Sequence, residues 1–338
     1  MTLCVLKMTN MNSAKSTVVA EIGLLIYRDC QLAAVYGLSD MFRIAADWAM
    51  SISGEERKLA IRVSHWQVNE GADTVECVWD SHPDEPHRMS YLIAPPSLVM
   101  PAMMTSMKVP ADWMNTRYNE GVTLCSVCAG AFVLAETGLI NHRRATTHWA
   151  FAQTLADRFP KIDVVAEKMV IDDGDIITAG GILAWIDLGL TLIEKILGTG
   201  TMLAAARFLL VDPPRREQSS YSVFIPNFEH GDSKILLVQH HLHACYAEQH
   251  SIETMAARVS LSPRTFLRHF QKATGLRPTD YLQQVRIMKA RDALELTGRP
   301  IDAIAWEVGY ADPSAFRKIF RKIMGVTPSQ YRKRFSTE

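Results

Sequence analysis

Apolar positions along the chain follow two regimes. Between Val18 and Leu210 they come as short unbroken runs alternating with stretches of helical spacing. Val18–Tyr27 (VVAEIGLLIY) is almost continuously β-branched and aliphatic, which predicts a strand buried on both faces. Leu32, Val35, Tyr36, Met41, Phe42, Ala45 and Ala46 then recur at helical spacing, predicting a helix over 32–50. Leu59–Trp66, Thr74–Trp79, Ser90–Ala94 and Val122–Val127 predict further strands, and Pro110–Asn119, Ala129–Thr137, Ala150–Phe159 and Ala184–Leu197 predict helices. Lys168–Ile171 and Ile176–Thr178 flank Asp172-Asp173-Gly174, a hairpin signal. Strands alternating with helices predict a layered α/β domain over 18–210.

The second regime is a repeat. Ile252, Ala256 and Val259 return 49 positions later as Ile301, Ala305 and Val308. Pro263, Phe266, Phe270, Gly275, Pro278 and Tyr281 return 50 positions later as Pro313, Phe316, Phe320, Gly325, Pro328 and Tyr331. The one-residue slip falls where a turn belongs, so each copy predicts two short helices joined by a tight turn, over 252–274 and 301–324. Ser262 and Asp312 stand as caps, each followed by a proline at the first helical position. Between the copies, Thr279–Thr297 predicts one amphipathic helix with Tyr281, Leu282, Val285, Met288 and Leu296 as its apolar stripe. Residues 211–232, rich in Pro, Arg, Ser and Gly, read as a linker into an all-α domain over 233–336 that opens with a helix over 233–250.

Charge sharpens the division. The chain is neutral overall, but residues 250–338 hold 16 Lys/Arg against 8 Asp/Glu, and the rest holds 20 against 28. A basic tail behind an acidic body implies a polyanion-binding module. The six cysteines are irregularly spaced, which argues against a disulfide framework and for a cytoplasmic setting. Met1–Ser16 reads as a loose extension without a signal peptide, and no 18-residue apolar span is evident, so no membrane partner is expected.

Cys128 is the chemical candidate of the first domain. It stands where strand meets helix, in Ser126-Val127-Cys128-Ala129-Gly130, and small neighbours permit a sharp elbow. A helix N-terminus there stabilises a thiolate or binds an anion. His148 is a candidate partner for the thiol, and Gly180-Gly181 permits backbone to approach a ligand. The plain alternatives are a small buried residue at a turn and close helix–strand packing. Cys125 and Cys128 form a C-x-x-C, but Cys125 lies inside the strand. Trp48, Trp66, Trp79, Trp113, Trp149 and Trp185 raise an aromatic cage for a quaternary amine, against the commoner reading of scattered tryptophans. His240, His241 and His243 read as exposed residues of the linker helix, and no metal site or cofactor is expected.

The run GVTLCSVCAGAFVLAETGLINHRRATTHWAFAQTLADRFP with DDGDIITAGGILAWIDLGL resembles the class I glutamine amidotransferase-like superfamily, and more narrowly the PfpI-like domain of GlxA-type regulators. That resemblance implies a flavodoxin-like layered fold, places Cys128 and His148 at the nucleophile and histidine positions, and suggests an effector sensor. Ala34 stands where the family pattern carries an acid, leaving Asp40 as a candidate substitute. The tail resembles the AraC/XylS family over its whole length, through S-x-x-x-F-x-R-x-F-x-x-x-x-G, the R-x-x-x-A of Arg286 to Ala290, and I-A-x-x-V-G-Y followed by G-V-T-P-S-Q-Y-R.

The outward residues of the second helix in each copy suit a DNA major groove. Arg264 and Arg268 are candidates for bidentate guanine contacts, and Leu267 or Ala315 for a thymine methyl. The resemblance extends base contact to Thr265, Ser314, Arg317 and Lys318. Lys272, Lys322, Arg332, Lys333 and Arg334 suit phosphates. A basic bundle that binds protein is the plain alternative. The expected whole is a transcription regulator: double-stranded DNA as partner, a small-molecule effector near Cys128, His148, Gly180 and Gly181, a homodimer, and contact with RNA polymerase. The competing class is a thiol hydrolase or amidotransferase-like enzyme tethered to DNA.

Overall fold

The computed structural model describes residues 17–53, 59–69, 71–104, 107–214 and 217–336. The leading segment 1–16 lies outside the described residues. The chain divides into two compact units, with the boundary between Gln218 and Ser219.

The first unit is built on a seven-stranded sheet in the order β3-β2-β1-β4-β5-β9-β8. The strands are β1 (Thr17–Ile26), β2 (Leu59–Asn69), β3 (Thr74–Asp80), β4 (Met89–Ala94), β5 (Thr123–Val127), β8 (Val170–Asp172) and β9 (Ile176–Ala179), with β6 (Arg144–Ala145) and β7 (Asp163–Val164) forming a separate pair. The inner strands run parallel, while β3 and β8 close the two edges antiparallel. Ala20 to Leu25 are buried without a break, as a double-covered strand requires. Helix α1 (Leu32–Ser53) packs on α5 (Trp185–Phe208), and α2 (Lys108–Asn119) packs on α3 (Gly130–Glu136) over Leu92 and Leu124. A single turn of 3-10 helix at Trp149–Phe151 leads into α4 (Ala152–Arg158).

Three features depart from the sequence reading. The two-residue pair β6–β7 has too few residues to show a period. The helix expected to end at Leu197 meets a non-helical Gly198 (φ 83°) and then resumes to Phe208. That makes α5 long and apolar enough, by length and composition, to cross a membrane, although no such span was expected. Here it is a core helix. Leu188, Leu190, Leu192 and Ile193 are wholly buried, and a Cβ at Gly189 would lie 2.5 Å from Met41 Sδ.

The second unit is all helical: α6 (Ser233–Ala244), α7 (Ile252–Arg258), α8 (Pro263–Thr274), α9 (Pro278–Leu296), α10 (Ile301–Glu307), α11 (Pro313–Met324) and α12 (Pro328–Phe335). It has two cores. Phe266, Phe270, Tyr281, Leu282 and Val285 join Ile235, Val238 and Leu242 of α6 in one. Ile287, Ala290, Leu294, Phe316, Phe320 and Tyr331 form the other. Each core repeats the same aromatic chain, with ring centroids 5.5 and 5.3 Å apart for Phe266–Phe270–Tyr281 and 5.6 and 5.5 Å for Phe316–Phe320–Tyr331. The repeated letters are therefore repeated packing. Because α9 serves one core with its first half and the other with its second, its buried residues do not form one stripe. Leu296 is 70% exposed, and Ile287, Ala290 and Leu294 take the places expected for Met288 and Leu296. Arg286 ties α9 to the α6–α7 loop by donating to the Tyr246 and Glu248 carbonyls, both at 2.8 Å.

The stretch 211–232 is not a free linker at either end. Gln218 is buried in the first unit. In the second, Phe224 packs on the first core, the Gln239 side chain donates to Asn227 O (3.0 Å), and His230 Nε2 lies 2.7 Å from Gln239 Oε1. The helix expected over 233–250 stops at Ala244. Its histidines are also more involved than expected. His243 lies 2.9 Å from the Tyr281 hydroxyl, His241 is half-buried against His250, and His240, the exposed one, stacks on Phe228.

Candidate elbow site and nucleic-acid interface

Strand β5 enters α3 through Cys128, whose φ of 54° lies in the left-handed region. Such backbone costs roughly 1–3 kcal/mol and persists where its surroundings over-determine it. Here the Cys128 N–H donates to Ala179 O (2.8 Å), and its carbonyl accepts from Thr147 Oγ1 (2.7 Å). Gly130 completes the turn, since a Cβ there would lie 2.3 Å from Ala94 O and 2.7 Å from Pro95 O. The small residues around Cys128 thus have a steric cause.

The thiol does not have the chemistry expected of a helix N-terminus. Cys128 is 2% exposed. Burial pushes its pKa up to about 12, outweighing the opposing hydrogen bond from the Ala129 backbone. It is a neutral thiol near pH 7. His148 is half-buried, and that burial lowers its pKa. It caps the Trp149–Phe151 turn, its Nδ1 accepting from Ala150 N at 3.1 Å. In the neutral ring this leaves the proton on Nε2, so neither nitrogen offers the thiol a free lone pair. Ala34 is wholly buried, and Asp40 pairs with Arg43 at 3.0 Å. Asp40 faces a separate cavity of about 1030 Å³ lined by Tyr36, His65 and Trp79, to which none of Cys128, His148, Gly180 and Gly181 contributes. Cys125 is buried in β5, and it and Cys128 are both free thiols. The tryptophans are dispersed: Trp66 with Trp113, Trp79 with His65, Trp48 with Phe208, Trp149 with His148.

The space beside Gly180 is filled by a residue that the sequence reading passed over. A Cβ at Gly180 would lie 1.9 Å from Gln218 Nε2 and 2.6 Å from Thr147 O. Gln218 Nε2 donates to Thr147 O (2.8 Å) and Lys168 O (2.9 Å), with Thr146 Oγ1 at 3.1 Å, and Oε1 accepts from Trp149 N (3.0 Å). The amide is 2% exposed and bonded on both ends, as a buried polar group requires. Gly181 (φ 81°) opens the turn into α5. A lone glutamine in a polar, proline-rich stretch carries no pattern that announces this.

In the second unit the predicted reading residues divide by their contacts. Arg264, Leu267 and Arg268 of α8 are exposed, Leu267 at 38%. Thr265 is half-buried, and its hydroxyl lies 2.9 Å from the Ser262 hydroxyl in the cap. On α11, Ser314, Ala315 and Lys318 are exposed, with Asp312 accepting from Ser314 N (2.8 Å) and Ala315 N (3.2 Å). Arg317 is ion-paired with Asp302 of α10. Among the phosphate candidates, Arg332 donates to Arg299 O (2.6 Å) and Arg334 stacks over Tyr221 at 4.7 Å, while Lys272, Lys322 and Lys333 are exposed.

Two family models match: a helix-turn-helix domain over residues 255–334 and the DJ-1/PfpI family over residues 98–195. The chain is similar to the HTH-type transcriptional regulator GlxA of Rhizobium meliloti (strain 1021), with 27% identity over 67% of this chain and 72% of that one. It is similar to the HTH-type transcriptional regulator ArgR of Pseudomonas aeruginosa at 28% identity, over 75% of each chain. Across the first regulators matched it spans 60–75% of their length. It is also similar to the isonitrile hydratase of Pseudomonas putida, 37% identical over 27% of this chain and 38% of that one. Two different domain families, matched in this order and shared with named regulators, identify the chain as a GlxA-type member of the AraC/XylS transcription regulators, a DJ-1/PfpI-type domain followed by an AraC-type helix-turn-helix domain.

Proposed function

We propose that the protein is a cytoplasmic, non-enzymatic transcription regulator that reads DNA with α8 and α11 and answers to a small molecule at the elbow. The carrying observation is the repeat made physical: two solvent-facing helices, each pinned from behind by the same aromatic chain, on one 19-residue connector. At 1.5 Å per residue that connector is about 28 Å long, suited to helices about one DNA turn apart. Arg264, Leu267 and Arg268 supply most of the base discrimination. Ser314, Ala315 and Lys318 anchor the second helix, and Arg317 engages DNA by exchanging Asp302 for the nucleic acid. To test this, a duplex is selected from a random-sequence pool and binding is measured by fluorescence anisotropy on it and on a scrambled copy. Arg268→Ala is expected to cost about 1–3 kcal/mol on the selected duplex and little on the scrambled one. Lys318→Ala is expected to weaken both alike. Equal losses for Arg268→Ala on both duplexes would remove direct readout by α8.

The sensing step is proposed at the loop Thr146–Trp149 beside Cys128, Gly180 and Gly181. Gln218 occupies this place with two N–H donations and one acceptance, so an effector presenting the same donors and acceptor displaces it. Gln218 is also the last residue before the second unit, so its release frees the chain at that boundary. The protonated thiol, the engaged His148 and the absent acid at Ala34 support sensing rather than thiol chemistry. The likeness to an isonitrile hydratase keeps a direct assay worthwhile, and turnover abolished by Cys128→Ser would establish the enzyme reading. A homodimer and contact with RNA polymerase complete the proposal.

A further inference from the structure

The sheet edge far from the elbow carries a second chemical cluster. Pairing of β2 with β3 places Ser64 opposite Asp80, His65 opposite Trp79, and Trp66 opposite Cys77, with a register shift between His65 and Trp66. In a regular strand, positions 77 and 80 point to opposite faces. The extra residue at Val78 makes a bulge, so Cys77 and Asp80 join Ser64 and Trp66 on one face; re-aiming a side chain is a common use of a bulge. His87 arrives on the following segment. Cys77 Sγ, an Asp80 carboxylate oxygen and a His87 ring nitrogen all lie within 4.8 Å of one another, and His87 Nε2 is 3.7 Å from Asp80 Oδ2.

We propose that Cys77, Asp80 and His87 form a binding site for a zinc-class divalent transition ion. A donor set of thiolate, imidazole and carboxylate selects such an ion over magnesium or calcium. An ion about 2.0–2.3 Å from each donor needs donor separations of roughly 3.3–3.7 Å, so the existing triangle has only to tighten slightly. The support behind the histidine is already built. His87 Nδ1 lies 2.7 Å from Oε1 of Glu21, a carboxylate buried inside β1 and held by Ser64 Oγ (2.9 Å) and Arg88 N (2.6 Å). A carboxylate on one ring nitrogen fixes the tautomer and leaves the other lone pair for a metal. Nε2 is the one that faces Asp80. Arg62 donates to both oxygens of Asp80 and holds that carboxylate in place while Oδ2 keeps a lone pair. On binding, the Cys77 S–H proton passes to buffer, the sulfur's hydrogen bond to Trp79 O (3.4 Å) is released, and a metal–sulfur bond forms. Three protein donors leave a fourth position toward solvent, since Cys77 is exposed.

The test uses tag-free, metal-stripped full-length protein and cobalt(II), which reports thiolate ligation by a near-ultraviolet charge-transfer band, with zinc(II) as competitor. One equivalent of cobalt is expected to produce the band, zinc to bleach it, and Cys77→Ser to abolish it. His87→Ala is expected to weaken zinc binding at least tenfold. Glu21→Gln is expected to weaken it about tenfold while the band survives at saturating metal. If no band forms, or if it persists in Cys77→Ser, the proposal is overturned and the cluster is a hydrogen-bonded network around Glu21, Arg62 and Asp80. His87 and Cys77 are surface residues, so a cooperative melt matching the parent protein separates lost binding from lost fold.

Discussion

At the residue scale, Cys128 is the site where environment overrules motif. The elbow, the small neighbours and the helix start were all visible as letters. What they could not show was that the thiol points into a filled interior. Burial holds it protonated, with a pKa raised from 9.0 to about 12. The neutral thiol therefore favours the folded state. That contribution is present in full below about pH 9 and is lost as pH climbs toward about 12. Iodoacetamide labelling read by peptide mass is expected to leave Cys128 unmodified at pH 7.5–8.5 in the folded protein while exposed Cys77 is modified. Fast labelling of Cys128 at neutral pH would mean that a thiolate is present and would reopen covalent chemistry. Glu21 teaches the converse. It interrupts the apolar run VVAEIGLLIY, and nothing local marks it as the support for Arg62, Ser64 and His87, which come 41 to 66 residues later.

At the element scale, the duplicated helix pairs are held by duplicated aromatics. Fully burying each phenylalanine stabilises by about 1.5–3 kcal/mol from surface removal alone. Truncating one costs about 3–5 kcal/mol once the cavity is included. Because Phe270 and Phe320 lie in separate clusters, Phe270→Ala and Phe320→Ala are each expected to cost that much, and the double variant close to the sum. Urea denaturation of the two singles and the double checks this. A coupling energy well above 0.5 kcal/mol would mean that α9 merges the two cores into one. The same helix shows why one stripe was expected and two were found. Periodicity reports how often a helix turns inward, and α9 has two insides, reached from different halves.

At the scale of the whole molecule, the polar stretch between the domains is where sensing and reading meet in the chain. Gln218→Ala removes the amide that satisfies Thr147 O, Lys168 O and Trp149 N. The variant is expected to speed hydrogen exchange at the Trp149 amide and to shift the full chain's affinity for its selected duplex about fivefold or more with no small molecule added. Faster exchange with unchanged DNA affinity would make Gln218 a structural tie with no part in signalling. The sequence by itself determined the order of the larger elements, the α/β and all-α division, the repeat, and the outward face of α8 and α11 apart from Thr265. These follow from local periodicity, capping and turn chemistry, which each residue carries wherever it sits. Tertiary structure alone decided that Cys128 is protonated, that Gln218 fills the space beside Gly180, that α5 is a core helix, that α9 serves two cores, and that Cys77, Asp80 and His87 converge. Each of these depends on which distant segment supplies the neighbours, and that information resides in packing rather than in any single stretch of the chain.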